Sequence, residues 1–264
     1  MVLQYVMVFL GLAACAYLIL FLFSIFGTSG LLFPVPKPSY QDGPGIIKLR
    51  TPPGTLLSAI YLENPAATHT ALFFHGNAED LGLCRENYTQ LSKHAGFNVL
   101  AFDYPGYGTS GSRPSEKSLN EASETAFQWL LSEKGCQPSD IVLYGRSLGG
   151  GPACELATRH PVAGLVLEQT FKSVFRVLTN VGILPWDWFV NLKKIHRVQC
   201  PVLILHGKAD STIPFSHAKA LYAKAKQPKL SLWVDYAQHG NSLLKVAGKE
   251  YWAKLAEFKR LLSP

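Results

Sequence analysis

The first 36 residues lack charge: no side chain between Met1 and Pro36 carries one, and Val6 to Phe26 is almost wholly apolar. A helix of that length spans about 30 Å, the thickness of a bilayer core. No Lys or Arg precedes the run, and it outlasts the apolar core of roughly 7–15 residues found in signal peptides, so a retained anchor is favoured over a cleaved leader or a buried core helix. Leu12-Ala13-Ala14-Cys15 looks like a lipoprotein processing site, but the chain after Cys15 stays apolar instead of becoming a polar tether. We expect an anchor over 1–27 and a linker over 28–44, stiffened by Pro34, Pro36 and Pro38. Lys37, Lys48 and Arg50 outnumber Asp42 on its C-terminal side, which weights the following domain toward the cytoplasm.

Cysteine is sparse too. Five residues (Cys15, Cys84, Cys136, Cys154, Cys200) show neither a pairing pattern nor metal-ligand spacing, which excludes a disulfide scaffold and a zinc site as organising features. A net charge of +7 is spread along the chain without an aromatic-plus-basic motif, so nucleic acid is not an expected partner. The densest basic stretch, Lys193-Lys194-Ile195-His196-Arg197, reads as a solvated face or as a contact for anionic head groups. The 264 residues, 48% hydrophobic and 16% charged, allow one large domain and leave no room for a second of similar size.

Within that domain strand and helix patterns alternate. Gly45–Arg50 and Leu56–Leu62 flank Thr51-Pro52-Pro53-Gly54 as a hairpin. Apolar runs then begin at Thr70, Asn98, Ile141, Gly164, Val202 and Leu230, each short enough for a buried strand. Helical spacing lies between them at about Leu81–Ala95, Ser118–Glu133, Leu148–Arg159, Phe215–Ala225 and Ser242–Leu262. The alternation implies an α/β fold, a mainly parallel twisted sheet with helices on both faces. Its ligand crevice lies at the carboxyl ends of the strands, so candidate site residues must follow strands directly.

Gly145-Arg146-Ser147-Leu148-Gly149 meets that condition, with a strand before it and a helix after it. A serine between two glycines on such a turn is a nucleophile elbow, because side chains two residues away on either side would collide. The N–H of Leu148 then faces developing negative charge at a helix N-terminus. His75-Gly76-Asn77 follows the strand at Thr70, and the Asn77 N–H completes an oxyanion hole. Asp210 follows the strand at Val202, with Glu168 and Asp235 as rivals; His239 follows the last strand. Ser147, Asp210 and His239 fall in the chain order expected of a nucleophile, acid and base on this kind of sheet.

These motifs, together with Phe102-Asp103-Tyr104-Pro105-Gly106-Tyr107-Gly108-Thr109-Ser110-Gly111 and His206-Gly207-Lys208-Ala209-Asp210, give a chain that resembles the α/β-hydrolases from about Gly45 onward. It is most similar to the membrane-anchored serine hydrolases that include protein depalmitoylases and related esterases. The resemblance implies the α/β-hydrolase fold over 45–264, no cofactor or metal, and cleavage of esters or thioesters of small molecules, lipids or acylated proteins. The N-terminal cysteine cluster that some relatives acylate is missing, so depalmitoylation is not inherited by default. An oligopeptidase-type serine peptidase is an alternative, though those enzymes carry a large gating domain. An inactive membrane-tethered binding module is another, and it would be betrayed by a missing triad member.

Residues 171–197 form an insertion at the crevice, expected to be a small cap. Its Phe171, Trp186 and Trp188, with His75 from the oxyanion turn, are the substrate-contact candidates; most of the cap's other aromatics are expected to pack it onto the sheet.

Overall fold

The computed structural model describes residues 1–26, 32–179, 187–240 and 242–262. The chain divides into two compact units, Met1–Pro34 and Val35–Pro264. The first contains helix α1, Val2–Phe26, of which Val2–Leu22 is long and apolar enough to cross a bilayer. The second begins before the expected domain start at Gly45. Part of the stretch read as linker is bonded structure: the Ser39 N–H donates to Asp80 Oδ2 at 2.7 Å, and the Thr109 hydroxyl donates to Asp42 at 2.5 Å.

The second unit is built on an eight-stranded sheet. Strands β1 (Ile47–Arg50) and β2 (Leu56–Leu62) form the antiparallel hairpin, and β2 pairs antiparallel with β4 (Asn98–Phe102). Strands β3 (Thr70–Phe74), β5 (Ile141–Arg146), β6 (Gly164–Glu168), β7 (Val202–Gly207) and β8 (Lys229–Val234) continue the sheet in parallel, in the order β1-β2-β4-β3-β5-β6-β7-β8. Strands β3, β5, β6 and β7 are buried at every position, which is why they read as unbroken apolar runs.

The period-2 alternation of side chains still divides them between two cores. Phe73, Val99, Val142, Tyr144, Val166, Leu203 and Leu232 share one cluster with Tyr88 and Leu91 of helix α2 (Arg85–Ala95) and with residues from the end of the chain. Helices α3 (Glu116–Lys134) and α4 (Gly150–Ala157) pack together and against the sheet. Burying each large aliphatic or aromatic side chain contributes about 1.5–3 kcal/mol, so this double layer supplies most of the favourable free energy of folding.

Two helix expectations need correction. The first helix begins at Arg85 and not at Leu81, because the Asp80 carboxylate accepts the N–H groups of Gly82 and Leu83 and holds 80–83 as a turn. The last helix is two, Ser242–Ala247 and Lys249–Lys259, broken at Gly248, whose φ of +53° lies outside the right-handed helical region. Four other elements are a short helix at Phe175–Thr179, a helix at Ser216–Lys224, and 3₁₀ turns at Asn191–Lys193 and Ile195–Arg197.

Candidate active site

The register of the sheet brings the strand ends into one row. Phe74 of β3 lies opposite Gly145 of β5, Arg146 opposite Glu168 of β6, and Glu168 opposite Leu205 of β7. Gly207 of β7 lies opposite Val234 of β8. The residues that follow these strands, Asn77, Ser147, Gln169, Asp210 and His239, therefore line one edge of the sheet. Between β3 and β5 the strand order reverses direction, the position where a crevice opens in sheets of this kind.

Ser147 has φ +50°, a left-handed conformation for a residue with a Cβ, which costs on the order of 1–3 kcal/mol. Its flanking glycines make the turn possible. A Cβ on Gly145 would lie 2.6 Å from the Gly149 carbonyl oxygen, and one on Gly149 would lie 2.2 Å from the Phe74 carbonyl oxygen. The side-chain hydroxyl sits 3.0 Å from His239 Nε2, and His239 Nδ1 sits 2.8 Å from Asp210 Oδ2. The histidine side chain is 24% exposed while the Asp210 side chain is 0% exposed, so the imidazole reaches solvent and its carboxylate partner is dry. The other oxygen of Asp210 accepts the N–H groups of Thr212 at 3.0 Å and Ile213 at 2.8 Å, which fixes the carboxylate plane.

The rival acids are engaged elsewhere. Glu168 is buried and accepts hydroxyl hydrogen bonds from Tyr144 at 2.6 Å and Tyr251 at 2.7 Å. Asp235 is exposed and pairs with Lys208 at 2.9 Å.

The turn after β3 is fastened to the elbow by charge. Arg146 is only 5% exposed; burial opposes its charge, and the carboxylates of Glu79 and Glu168 outweigh burial and raise its pKa. Its guanidinium reaches both oxygens of Glu79, at 2.6 and 2.8 Å, and Glu79 Oε2 accepts the Gly76 N–H at 2.9 Å. One carboxylate thus links the residue before Ser147 to the residue before Asn77. The Asn77 side chain is oriented in turn by the Tyr107 hydroxyl, which donates to its Oδ1 at 2.7 Å. Leu148 is buried at 4% exposure, in the 3₁₀ turn Ser147–Gly149 that leads into α4.

Of the four substrate-contact candidates, two have no surface to offer. His75 is fully buried, bonded through Nδ1 to the Gly76 carbonyl at 2.8 Å, with its ring centroid 4.1 Å from that of Tyr104. Adjacency to the crevice did not imply exposure to it. Phe171 is 4% exposed and packs the base of the insertion, its carbonyl accepting from Asn191. Trp188 is half-buried and lines a groove with Lys48, Pro52, Glu116 and Trp129, a set that includes no member of the Ser147–His239–Asp210 relay. Trp186 lies outside the described residues.

The basic stretch is also less available than its sequence suggests. Ile195 is buried, and Lys194 is neutralised by Glu155 at 2.6 Å. The insertion's described ends are tied together by Asp187, which accepts from the Ser173 hydroxyl and from the N–H groups of Phe175 and Trp188.

His217 supports the same region. It is fully buried and accepts the Lys172 N–H at 3.1 Å; burial, aided by the Lys172 charge, pushes its pKa down to about 4. The unfolded chain takes up a proton near pH 6.5 that the folded protein refuses, so stability is lost as pH falls from about 6.5 to about 4, by on the order of 3 kcal/mol from this group. The thermal midpoint of His217→Gln is expected to fall less steeply over that window than the wild type's; parallel curves would remove the assignment.

Sequence reasoning did not single out Glu79, Gln169 or Thr170. Thr170 donates its hydroxyl to the Ser147 carbonyl at 2.8 Å, and Gln169 reaches the His239 loop. For Gln169 and Thr170 the one legible signal is position, directly after buried strand β6; Glu79, in the turn beyond β3, carries no such signal.

Among the described residues no group of three or more His, Cys, Asp or Glu side chains could hold a metal ion. Residues 72–179 match the family model of the alpha/beta hydrolase fold. The human alpha/beta hydrolase domain-containing protein 17B is 35% identical over 212 residues, covering 79% of this chain and 73% of that one. The Caenorhabditis elegans alpha/beta hydrolase domain-containing protein aho-3 is 39% identical over 196 residues, 74% of this chain and 58% of that one. Among solved structures, the Pyrococcus furiosus esterase Pf2001 superposes with a TM-score of 0.71 at 18% identity, covering 87% of this chain and 100% of the esterase, a likeness of fold. With that fold, that strand-end row and those relatives, the chain belongs to the α/β-hydrolase superfamily.

Proposed function

We propose that this protein is a serine hydrolase that cleaves carboxylic esters or thioesters through an acyl-enzyme. The observation that carries the reading is the unbroken relay Ser147 Oγ, His239 Nε2, His239 Nδ1, Asp210 Oδ2, with links of 3.0 and 2.8 Å. His239 takes the hydroxyl proton as Ser147 attacks the acyl carbon, and Asp210 holds the imidazole in the tautomer that leaves Nε2 free to accept. The backbone N–H groups of Asn77 and Leu148 stabilise the oxyanion. On collapse of the tetrahedral intermediate, His239 gives its proton to the departing alcohol or thiol. A water, deprotonated by His239, then attacks the acyl-Ser147 ester, and as this second intermediate collapses His239 returns the proton to the departing Ser147 Oγ and the carboxylic acid is released. Neither half-reaction requires a metal or an organic cofactor.

The apolar helix at Val2–Leu22 supports a membrane tether for this chemistry, and acyl esters that reside in or on a bilayer are the substrates such a tether favours. Release of nitrophenolate from p-nitrophenyl esters of increasing chain length, with a matched series of acyl thioesters, tests the reading. Turnover proportional to enzyme and lost in Ser147→Ala is expected; no turnover on any ester or thioester would reject it.

A further inference from the structure

We propose that Gln169 is a positioning residue for His239, clamping the histidine loop from both sides. This rests on the reading of Ser147, His239 and Asp210 as the hydrolytic relay. The Gln169 side chain is fully buried and uses both ends of its amide. Its Nε2 donates to the Gln238 carbonyl at 2.7 Å and lies 3.3 Å from Asp210 Oδ2; its Oε1 accepts the Gly240 N–H at 2.9 Å. The residues immediately before and after His239 are therefore held by one side chain, which also touches the carboxylate that holds the imidazole. The pattern fixes the orientation of the amide, since a flipped one would set N–H against N–H at Gly240 and oxygen against oxygen at Gln238.

The backbone at Gln169 is adapted to this task. Its φ is +47°, left-handed for a residue with a Cβ, directly after β6. An outlier of this kind persists where surrounding contacts over-determine it, and it is found at sites where geometry matters. Its N–H is tied to the Leu205 carbonyl at 2.8 Å. The reversal sends three consecutive side chains to three targets: Glu168 to Tyr144 and Tyr251, Gln169 to the histidine loop, and Thr170 to the Ser147 carbonyl. Nucleophile and base, which are 92 residues apart in the chain, are thus held from a single loop.

Only a neutral group that donates and accepts at once satisfies these contacts. Gln169→Met keeps the length and apolar body and loses all three hydrogen bonds. Gln169→Glu keeps the acceptor for Gly240, loses the donor, and adds negative charge beside Asp210, which favours the protonated imidazole.

The test measures kcat, KM and the pH profile of kcat/KM on a short p-nitrophenyl ester with the full-length protein in detergent, alongside fluorophosphonate labelling. For Gln169→Met we expect kcat to fall about 10- to 100-fold, as for other losses of a supporting contact around a reactive group, with KM within about two-fold of wild type. For Gln169→Glu we expect the acid limb of kcat/KM to move to higher pH by about one unit. An unchanged kcat in Gln169→Met, or an unmoved acid limb in Gln169→Glu, overturns the proposal; if the Met variant does not fold, the acid limb alone decides. Wild type labelled at Ser147 with indifferent Gln169 variants sinks the clamp and spares the relay, whereas wild type that is never labelled sinks the relay first.

Discussion

His239→Ala is expected to lower kcat for ester hydrolysis by about 10⁴- to 10⁶-fold while leaving the thermal midpoint within a few degrees of wild type. The magnitude follows from the proposed role: without the imidazole, Ser147 would lose the base proposed to activate it, and the proposed oxyanion donors alone would retain only a remnant of catalysis. The fold is spared because His239 is only part-buried and is not among the buried residues of the core. Asp210→Asn is expected to cost nearly as much, roughly 10⁴-fold, for a different reason. An asparagine can still accept the Thr212 and Ile213 N–H groups through its Oδ1, but then presents an amide N–H to His239 Nδ1 and favours the tautomer that protonates Nε2. Steady-state kinetics beside melting curves check both, and a kcat close to the wild type's in either variant would contradict the relay.

The second large effect concerns the elbow itself. Gly149→Ala places a methyl group 2.2 Å from the Phe74 carbonyl oxygen and 2.7 Å from the Phe74 Cβ, where β3 cannot retreat without breaking its pairing with β4 and β5. We expect a loss of about 3 kcal/mol or more, a fall in the thermal midpoint of roughly 10 °C, and loss of activity even in the fraction that remains folded. Gly43→Ala is the matched control, since a Cβ there meets nothing within 4 Å. Differential scanning fluorimetry on the pair separates a steric requirement from a general intolerance of alanine; equal midpoints would show that the elbow has slack.

The contrast between these glycines and Gln169 shows what a sequence of this kind discloses. Strands β3, β5, β6 and β7 are buried on both faces, so their apolar runs and carboxyl ends are visible without coordinates. Those ends make Ser147, Asp210 and His239 candidates, although Glu168 and Asp235 meet the same criterion as Asp210. The supporting side chains are different, because their partners are remote in the chain. Glu79 meets Arg146 across 67 residues and Gln169 meets Gly240 across 71, and no local pattern encodes either pairing.

Exposure is also a tertiary property. His75 sits where a crevice residue should, yet Tyr104 and Tyr107 close over it, with ring centroids at 4.1 and 5.5 Å. Helix boundaries failed for local reasons, in the Asp80 turn and at Gly248, where one side-chain carboxylate or one backbone angle overrode an otherwise helical run.

The central claim, that Ser147 is a nucleophile activated by His239, is tested most directly by covalent capture. The full-length protein is treated with a fluorophosphonate, digested, and the modified peptide identified by mass spectrometry. One adduct per chain is expected, on Ser147, absent from Ser147→Ala and strongly slowed in His239→Ala. An adduct on another residue, or labelling that persists in Ser147→Ala, would contradict it.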